Sequence, residues 1–181
     1  MKKKNITINI YKRLLDLSID NSNIEMDIIN FRKITKSEIL NRCYDSIVYG
    51  FNPEKYHDNC DGWPILILIK TKKGENIGAY ITKSIEGEEN IEDDNSMLIN
   101  FDTFTFYSFK KDLAPVKYPI YCSQKNFTRF ANDLIIYSNG KGESSFPYCY
   151  GINEGEEGDL FKEKNFEIDI LEVYKLNIDS S

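Results

Sequence analysis

With 181 residues, 41% of them apolar and 29% charged, the chain has the size and balance of a single folded domain, and wholesale disorder is excluded. Its net charge of −6, from 29 acidic against 23 basic side chains, removes any general attraction to a polyanion. The only basic run is Lys2 to Lys4, so nucleic-acid binding is disfavoured. No stretch approaches the roughly 20 apolar residues that span a bilayer, so no membrane insertion is expected.

The aromatic content, 12 Tyr, 11 Phe and one Trp, suits the pleated surface of a sheet and points to a mainly β fold. At the start, Ile8, Tyr11, Leu14, Leu15 and Ile19 share one stripe at helical spacing, giving a short amphipathic helix that ends at Asn21 to Asn23. Thr7, Asn9, Lys12 and Arg13 interrupt this region, so it is not a secretory signal. The expectation is a cytoplasmic or nuclear protein with Cys43, Cys60, Cys122 and Cys149 as reduced thiols. Ile24 to Ile34 reads as strand or helix, and Ile39 to Val48 as strand-like or mixed, ending at Gly50.

Asn52-Pro53-Glu54 starts a helix: Asn supplies a capping oxygen, Pro fits the first turn and Glu meets the positive end of the dipole. That helix runs to about Cys60, and Asp61-Gly62 closes it. The unbroken apolar run Ile65 to Ile69 predicts a strand buried on both faces. A turn at Lys72 to Glu75 leads into a second strand over Ile77 to Thr82, making a hairpin. Glu86 to Asn95 reads as an acidic loop, and Phe101 to Phe109 as a covered aromatic strand. After a connection marked by Pro115 and Pro119, Leu134 to Tyr137 is a strand closed by Asn139-Gly140. Pro147 makes Ser144 to Tyr150 an edge or irregular piece. Gly151 to Gly158 is a second acidic loop, and the alternation from Phe166 to Lys175 gives a terminal strand.

These motifs, in this order, resemble a TLDc domain. The opening of that family is matched by Cys43-Tyr44-Asp45-Ser46, by Gly50-Phe51-Asn52, and by the helix ending His57-Asp58-Asn59-Cys60-Asp61-Gly62. An apolar strand follows at Pro64 to Lys70, and a phenylalanine-glycine-glycine-tyrosine strand looks like Ile77-Gly78-Ala79-Tyr80. The family's aromatic strand is matched from Asp102 through Phe104 and Phe106 to Phe109. Lys117 to Ile120, then Phe130 to Ile136 with Asp133 and Leu134, then Phe166 to Tyr174 with Glu172, complete the series. Ala79 replaces the second glycine of the hairpin motif, and Ala131-Asn132 replaces a glycine-rich turn, so the chain is a divergent member.

The resemblance implies a two-layer antiparallel β-sandwich with a few flanking helices, occupying residues 39–177; residues 1–38 are expected as an N-terminal segment packed on it and 178–181 as a tail. It also implies a role in protecting cells against oxidative damage, through protein binding rather than catalysis. Some members bind subunits of the vacuolar-type proton pump and others act as transcriptional co-regulators in the nucleus. The family has no agreed active site or cofactor to carry over, so the motif positions are expected to be structural or binding residues.

The competing chemistry centres on His57 and Cys60, three residues apart on one helix face beside Asp58 and Asp61. A thiol with an imidazole base would be a nucleophile or a redox sensor. The alternative, that the helix buries Tyr56 and Cys60 against the sheet, is favoured because a reactive thiol needs an exposed, electropositive setting. No cysteine lies in a Cys-x-x-Cys pair, so no zinc site is expected. Neither acidic loop has a calcium-binding register, and both are read as solvated. Positive φ is expected at Gly50 and Gly62, and a close approach or bulge at Gly78.

Overall fold

The computed structural model describes residues 31–112, 116–151 and 159–178. The amphipathic stripe Ile8 to Ile19 and most of the second acidic loop lie outside these. Residues 31–35 are helical (α1) and lead into β1 (Ser37–Asp45). Two short helices follow, α2 (Ser46–Tyr49) and α3 (Pro53–Cys60). The hairpin of β2 (Ile65–Thr71) and β3 (Asn76–Ile81) comes next, turning at Gly74 with φ +87. Then come β4 (Glu89–Ile91), β5 (Met97–Asn100), β6 (Thr105–Phe109), β7 (Ile120–Ser123) and β8 (Asn126–Phe130). β9 (Ile135–Ile136), β10 (Lys141–Glu143), β11 (Tyr150–Gly151) and the long β12 (Asn165–Ile178) complete the described fold.

The strands form two antiparallel sheets. The larger runs β11-β6-β5-β3-β2-β12-β10-β9, with β1 also on β12, and the smaller runs β4-β7-β8. The chain is thus a mainly β sandwich with short helices, as the sequence predicts. Ile65, Ile67 and Ile69 of β2, Ala79 of β3 and Val173 of β12 face the core shared with Ile91, Ile120, Phe127 and Phe130 of the smaller sheet. The alternate residues Leu66, Leu68, Tyr80, Ile99, Tyr174 and Leu176 pack on the opposite face with Phe31 and Ile39. The central strands therefore bury both faces, which is why β2 is apolar without alternation.

Three expectations need correction. The aromatic stretch Phe101 to Phe109 is not one strand, because β6 begins only at Thr105. Asn100 Oδ1 accepts from the backbone N–H groups of Asp102 and Thr103, at 3.0 and 3.1 Å, and Asp102 accepts from Asn76. These local bonds take the backbone out of the ladder and form a turn, with Phe104 at φ +53. The acidic stretch Glu86 to Asn95 is not merely a solvated loop either. It contains β4, it buries Asp93 against Thr82, and Glu92 and Asp94 both pair with Lys111 at 2.9 Å. Finally, Cys43 and Cys60 are joined as a disulfide with Cα atoms 5.4 Å apart, while Cys122 and Cys149 are free and buried.

Gly78 meets its expectation of a close approach. A Cβ there would clash with the edge of the Phe101 ring, 3.0 Å from Cζ and nearer still to Cε2, and lie 3.4 Å from the Ile67 carbonyl oxygen. Gly78→Ala should therefore lower the urea-unfolding free energy by about 1–3 kcal/mol. In a Phe101→Ala background the same change should cost much less. Equal costs in both backgrounds would show that the ring is not what excludes the methyl group.

Candidate functional site

The motif residues from Tyr44 to Gly62 gather where β1, α2, α3 and the smaller sheet meet. β1 reaches this corner through a bulge: Arg42 pairs with Tyr174 and Tyr44 with Val173, leaving Cys43 as the extra residue. The bulge turns both Cys43 and Tyr44 inward, which strict alternation would not allow. Asp45 caps α2, accepting from the Ile47 N–H at 2.9 Å, and Ser46 Oγ accepts from the Leu171 N–H at 2.9 Å. The Tyr44 hydroxyl donates to the Gly50 carbonyl and accepts from the Asn52 N–H at 3.0 Å, drawing the loop closed over α2. Gly50 takes φ +66 there, and Gly62 takes φ +82 beyond α3, both as expected. The Phe51 ring lies against Gly140.

α3 forms as its opening predicts, with the Asn52 side chain accepting from the Lys55 N–H at 3.2 Å. It buries Tyr56, His57 and Cys60. Tyr56 meets Tyr44 edge-on at 5.9 Å, packs on Phe127 at 5.4 Å, and its hydroxyl lies 2.6 Å from that of Thr128. Burial raises both phenols, Tyr44 and Tyr56, above the ordinary tyrosine range. His57 Nδ1 lies 2.8 Å from Asp61 Oδ1, and Nε2 lies 2.9 Å from the Asn126 carbonyl oxygen. These two contacts tie the ring to the end of α3 and to the start of β8. Neither nitrogen is directed at the Cys60 sulfur, which is bonded to Cys43. The nucleophile-and-base reading of His57 and Cys60 is therefore not assembled.

The other motif positions are also committed to internal contacts. Glu172 pairs with Arg42, accepts from the Tyr174 hydroxyl at 2.9 Å, and shares Arg42 with Asp45 at 2.7 Å. The Tyr80 hydroxyl donates to the Thr35 carbonyl at 2.9 Å, fixing the end of α1. Phe104 and Phe106 meet edge-on at 5.2 Å beside the second apolar cluster. Leu134 is buried and bridges Phe130. Asp133 is fully buried and accepts from the N–H groups of Tyr148 at 2.6 Å and Cys149 at 2.8 Å, holding the segment before β11.

Burial pushes the Asp133 carboxyl up to about 6, against the pull of these backbone donors. It pushes the free thiols Cys122 and Cys149 up to about 11. An acidic groove runs past the corner, lined by Glu54, His57, Asp58, Asp61, Glu88 and Lys125. Among the described residues no cluster of three or more His, Cys, Asp or Glu could hold a metal ion. No described helix is long and apolar enough to cross a membrane. The sequence reading missed Arg42, Thr128, Asn126 and Phe101, which complete these contacts. They lie far along the chain from their partners, and residue type alone gives no signal of the pairing.

In this antiparallel sandwich the motif side chains are spent on fastening strand ends and loops. The TLDc domain matches residues 18–177, so the chain belongs to the TLDc family. That places it in the oxidation-resistance family, whose domains are of protein-interaction type and generally non-catalytic. Among individual curated proteins none matches the chain.

The raised Asp133 carboxyl gives a pH dependence of definite sign. Between pH 7 and 4 the folded state takes up a proton before the unfolded chain does, so this group's contribution to stability grows as pH falls. Relative to Asp133→Asn, the wild type should gain on the order of 3 kcal/mol across that range. Urea titrations at several pH values check this, with carboxyl-carbon NMR giving the midpoint. Parallel pH profiles would place the Asp133 titration at an ordinary value.

Proposed function

We propose that this chain is a non-catalytic protein-binding module serving resistance to oxidative stress. Its partner in this reading is a cytoplasmic protein complex, with the peripheral subunits of the vacuolar-type proton pump as the specific candidate. Family membership supports the general part. The observation that carries the reading is the contrast between the interior and one surface. Tyr44, Ser46, His57, Cys60, Asp133 and Glu172 are all engaged within the fold. The adjoining α2 meanwhile presents Ile47, Val48 and Tyr49 at 72%, 65% and 42% exposure. Single exposed apolar residues are ordinary, but three in succession on a helix held by a cap and a tyrosine lock form a rigid contact patch. The pump assignment rests on the resemblance to proteins that bind it.

Affinity purification of the tagged protein from its own cells, with and without peroxide, tests this. Peripheral pump subunits should be recovered, and Ile47→Asp with Val48→Asp should cut their recovery at least tenfold. Both side chains face solvent, so the melting temperature of the variant should stay within a few degrees of wild type. Recovery of no pump subunit would remove that partner. Unchanged recovery by the variant would move the contact away from α2.

A further inference from the structure

We propose that Cys43 and Cys60 are a reversible two-cysteine redox site whose state sets how firmly α3 is held against β1. The proposal stands on the geometry of the pair and needs no partner protein. The disulfide is built by the bulge in β1, since Cys43 is the one residue of that stretch with no opposite number on β12. Without the bulge, the turn inward at Tyr44 would point Cys43 away from α3. The bridge closes a segment of separation 17 that carries α2, Phe51 and all of α3.

The site also accommodates the reduced state. Cys43 Sγ lies 3.4 Å from the Val173 carbonyl oxygen, an acceptor ready for a thiol S–H. Opening the bridge thus leaves a donor with a partner in place. Nor does opening release the whole segment. Tyr56 remains bonded to Thr128, His57 to Asp61 and Asn126, and Tyr44 to the Gly50–Asn52 turn. Reduction loosens one end of α3 within a fold that persists.

The chemistry balances with a dithiol as reductant. Its thiolate attacks Cys43 Sγ, forming a mixed disulfide there while Cys60 departs as the thiolate and takes a proton. The second thiol of the reductant then displaces Cys43, which becomes a thiol, and the reductant leaves as its own disulfide. Two electrons and two protons have passed to the protein. One molecule of hydrogen peroxide reverses the change, forming the S–S bond and two waters. Attack is assigned to Cys43 because, of the two buried residues, it is the more exposed, at 9% against 0% for Cys60. The other two cysteines are unbridged and less exposed than Cys43, at 0% and 2%, and Cys122 Sγ lies 3.6 Å from the Thr128 hydroxyl.

The test uses the full chain. Peroxide-treated protein, denatured and alkylated, should show two blocked and two free cysteines by mass. After a native dithiol pulse it should show four free, and peroxide should restore two. Hydrogen exchange in the reduced protein should speed at least tenfold over residues 53–61 and stay unchanged over β2. In Cys60→Ser, Cys43 should react with an aromatic disulfide reagent at least tenfold faster than Cys60 does in Cys43→Ser. Circular dichroism of the two variants confirms that each is folded, and the wild-type mass and exchange measurements need neither. Four free cysteines after peroxide, a bridge untouched by native dithiol, unchanged exchange at α3, or the reverse order of reactivity would each overturn the proposal.

Discussion

The whole arrangement depends on one strand that must satisfy two hydrogen-bonded edges and two apolar faces at once. β12 pairs with β2 along one edge, from Ile168 to Lys175, and along the other with β10 near its start and β1 near its end. Over its centre, Leu171 to Tyr174, the strand is buried on both faces, so a polar residue there must be paired. Glu172 is the case in point: it is buried at the centre of the strand, and Arg42 and the Tyr174 hydroxyl meet its oxygens. The alternation also breaks where it must. A bulge at Asp169 lets Phe166 and Ile168, and then Leu171 and Val173, all face the main core.

The same device repeated on β1 creates the corner. An outer strand with two bulges is poorly suited to pairing with another chain, and among the described residues no strand lies on the outer edge of β1. Each bulge re-aims side chains. The second one delivers two consecutive inward residues, Cys43 and Tyr44, to the place where α3 and the smaller sheet arrive. Tyr44 then serves three elements through one side chain: its ring packs on Tyr56 and Phe127, and its hydroxyl fastens the turn after α2. The fold thus spends its most distinctive residues on joining elements, leaving recognition to the surfaces between them.

Much of this architecture is legible in the sequence. The β2–β3 hairpin, the cap and end of α3, the left-handed glycines and the crowded Gly78 follow from local rules about turns, caps and apolar runs. The burial of Tyr56 and Cys60 follows from the same helix face. Most of what could not be read depends on residues distant in the chain. The disulfide needs a bulge that brings Cys43 inward, and nothing in a spacing of 17 announces it. The hidden strand β4 is acidic because its ladder partner β7, not its composition, makes it a strand. The turn at Asp102 arises because Asn100 and Asp102 bond backbone groups within a stretch whose aromatic residues favour a strand. The motif order, a pattern over the whole chain, carried the family assignment where no single motif could.

The attachment of α3 shows how a redox-dependent and a redox-independent contact can share one element. Closing a loop of this size restricts the unfolded chain by roughly 3 kcal/mol in the chain-entropy account. The hydrogen bonds of Tyr56 and His57 contribute on the order of 1 kcal/mol each, and the aromatic contacts among Tyr44, Tyr56 and Phe127 add a similar amount per pair. The two sets are of comparable size, so neither alone decides whether α3 stays docked. The bonds that survive reduction come from the smaller sheet, through Thr128 and Asn126, and from Tyr44 of the larger one, which also supplies the disulfide. With the bridge closed, α3 ties the two sheets together across the corner. With it open, α3 keeps the smaller sheet and the Tyr44 contacts, and the segment bearing Ile47, Val48 and Tyr49 is held by Tyr44, Asp45, Ser46 and the packing of Phe51 on Gly140. A change at two buried sulfurs is thereby transmitted to the most exposed apolar surface of the corner without crossing the core.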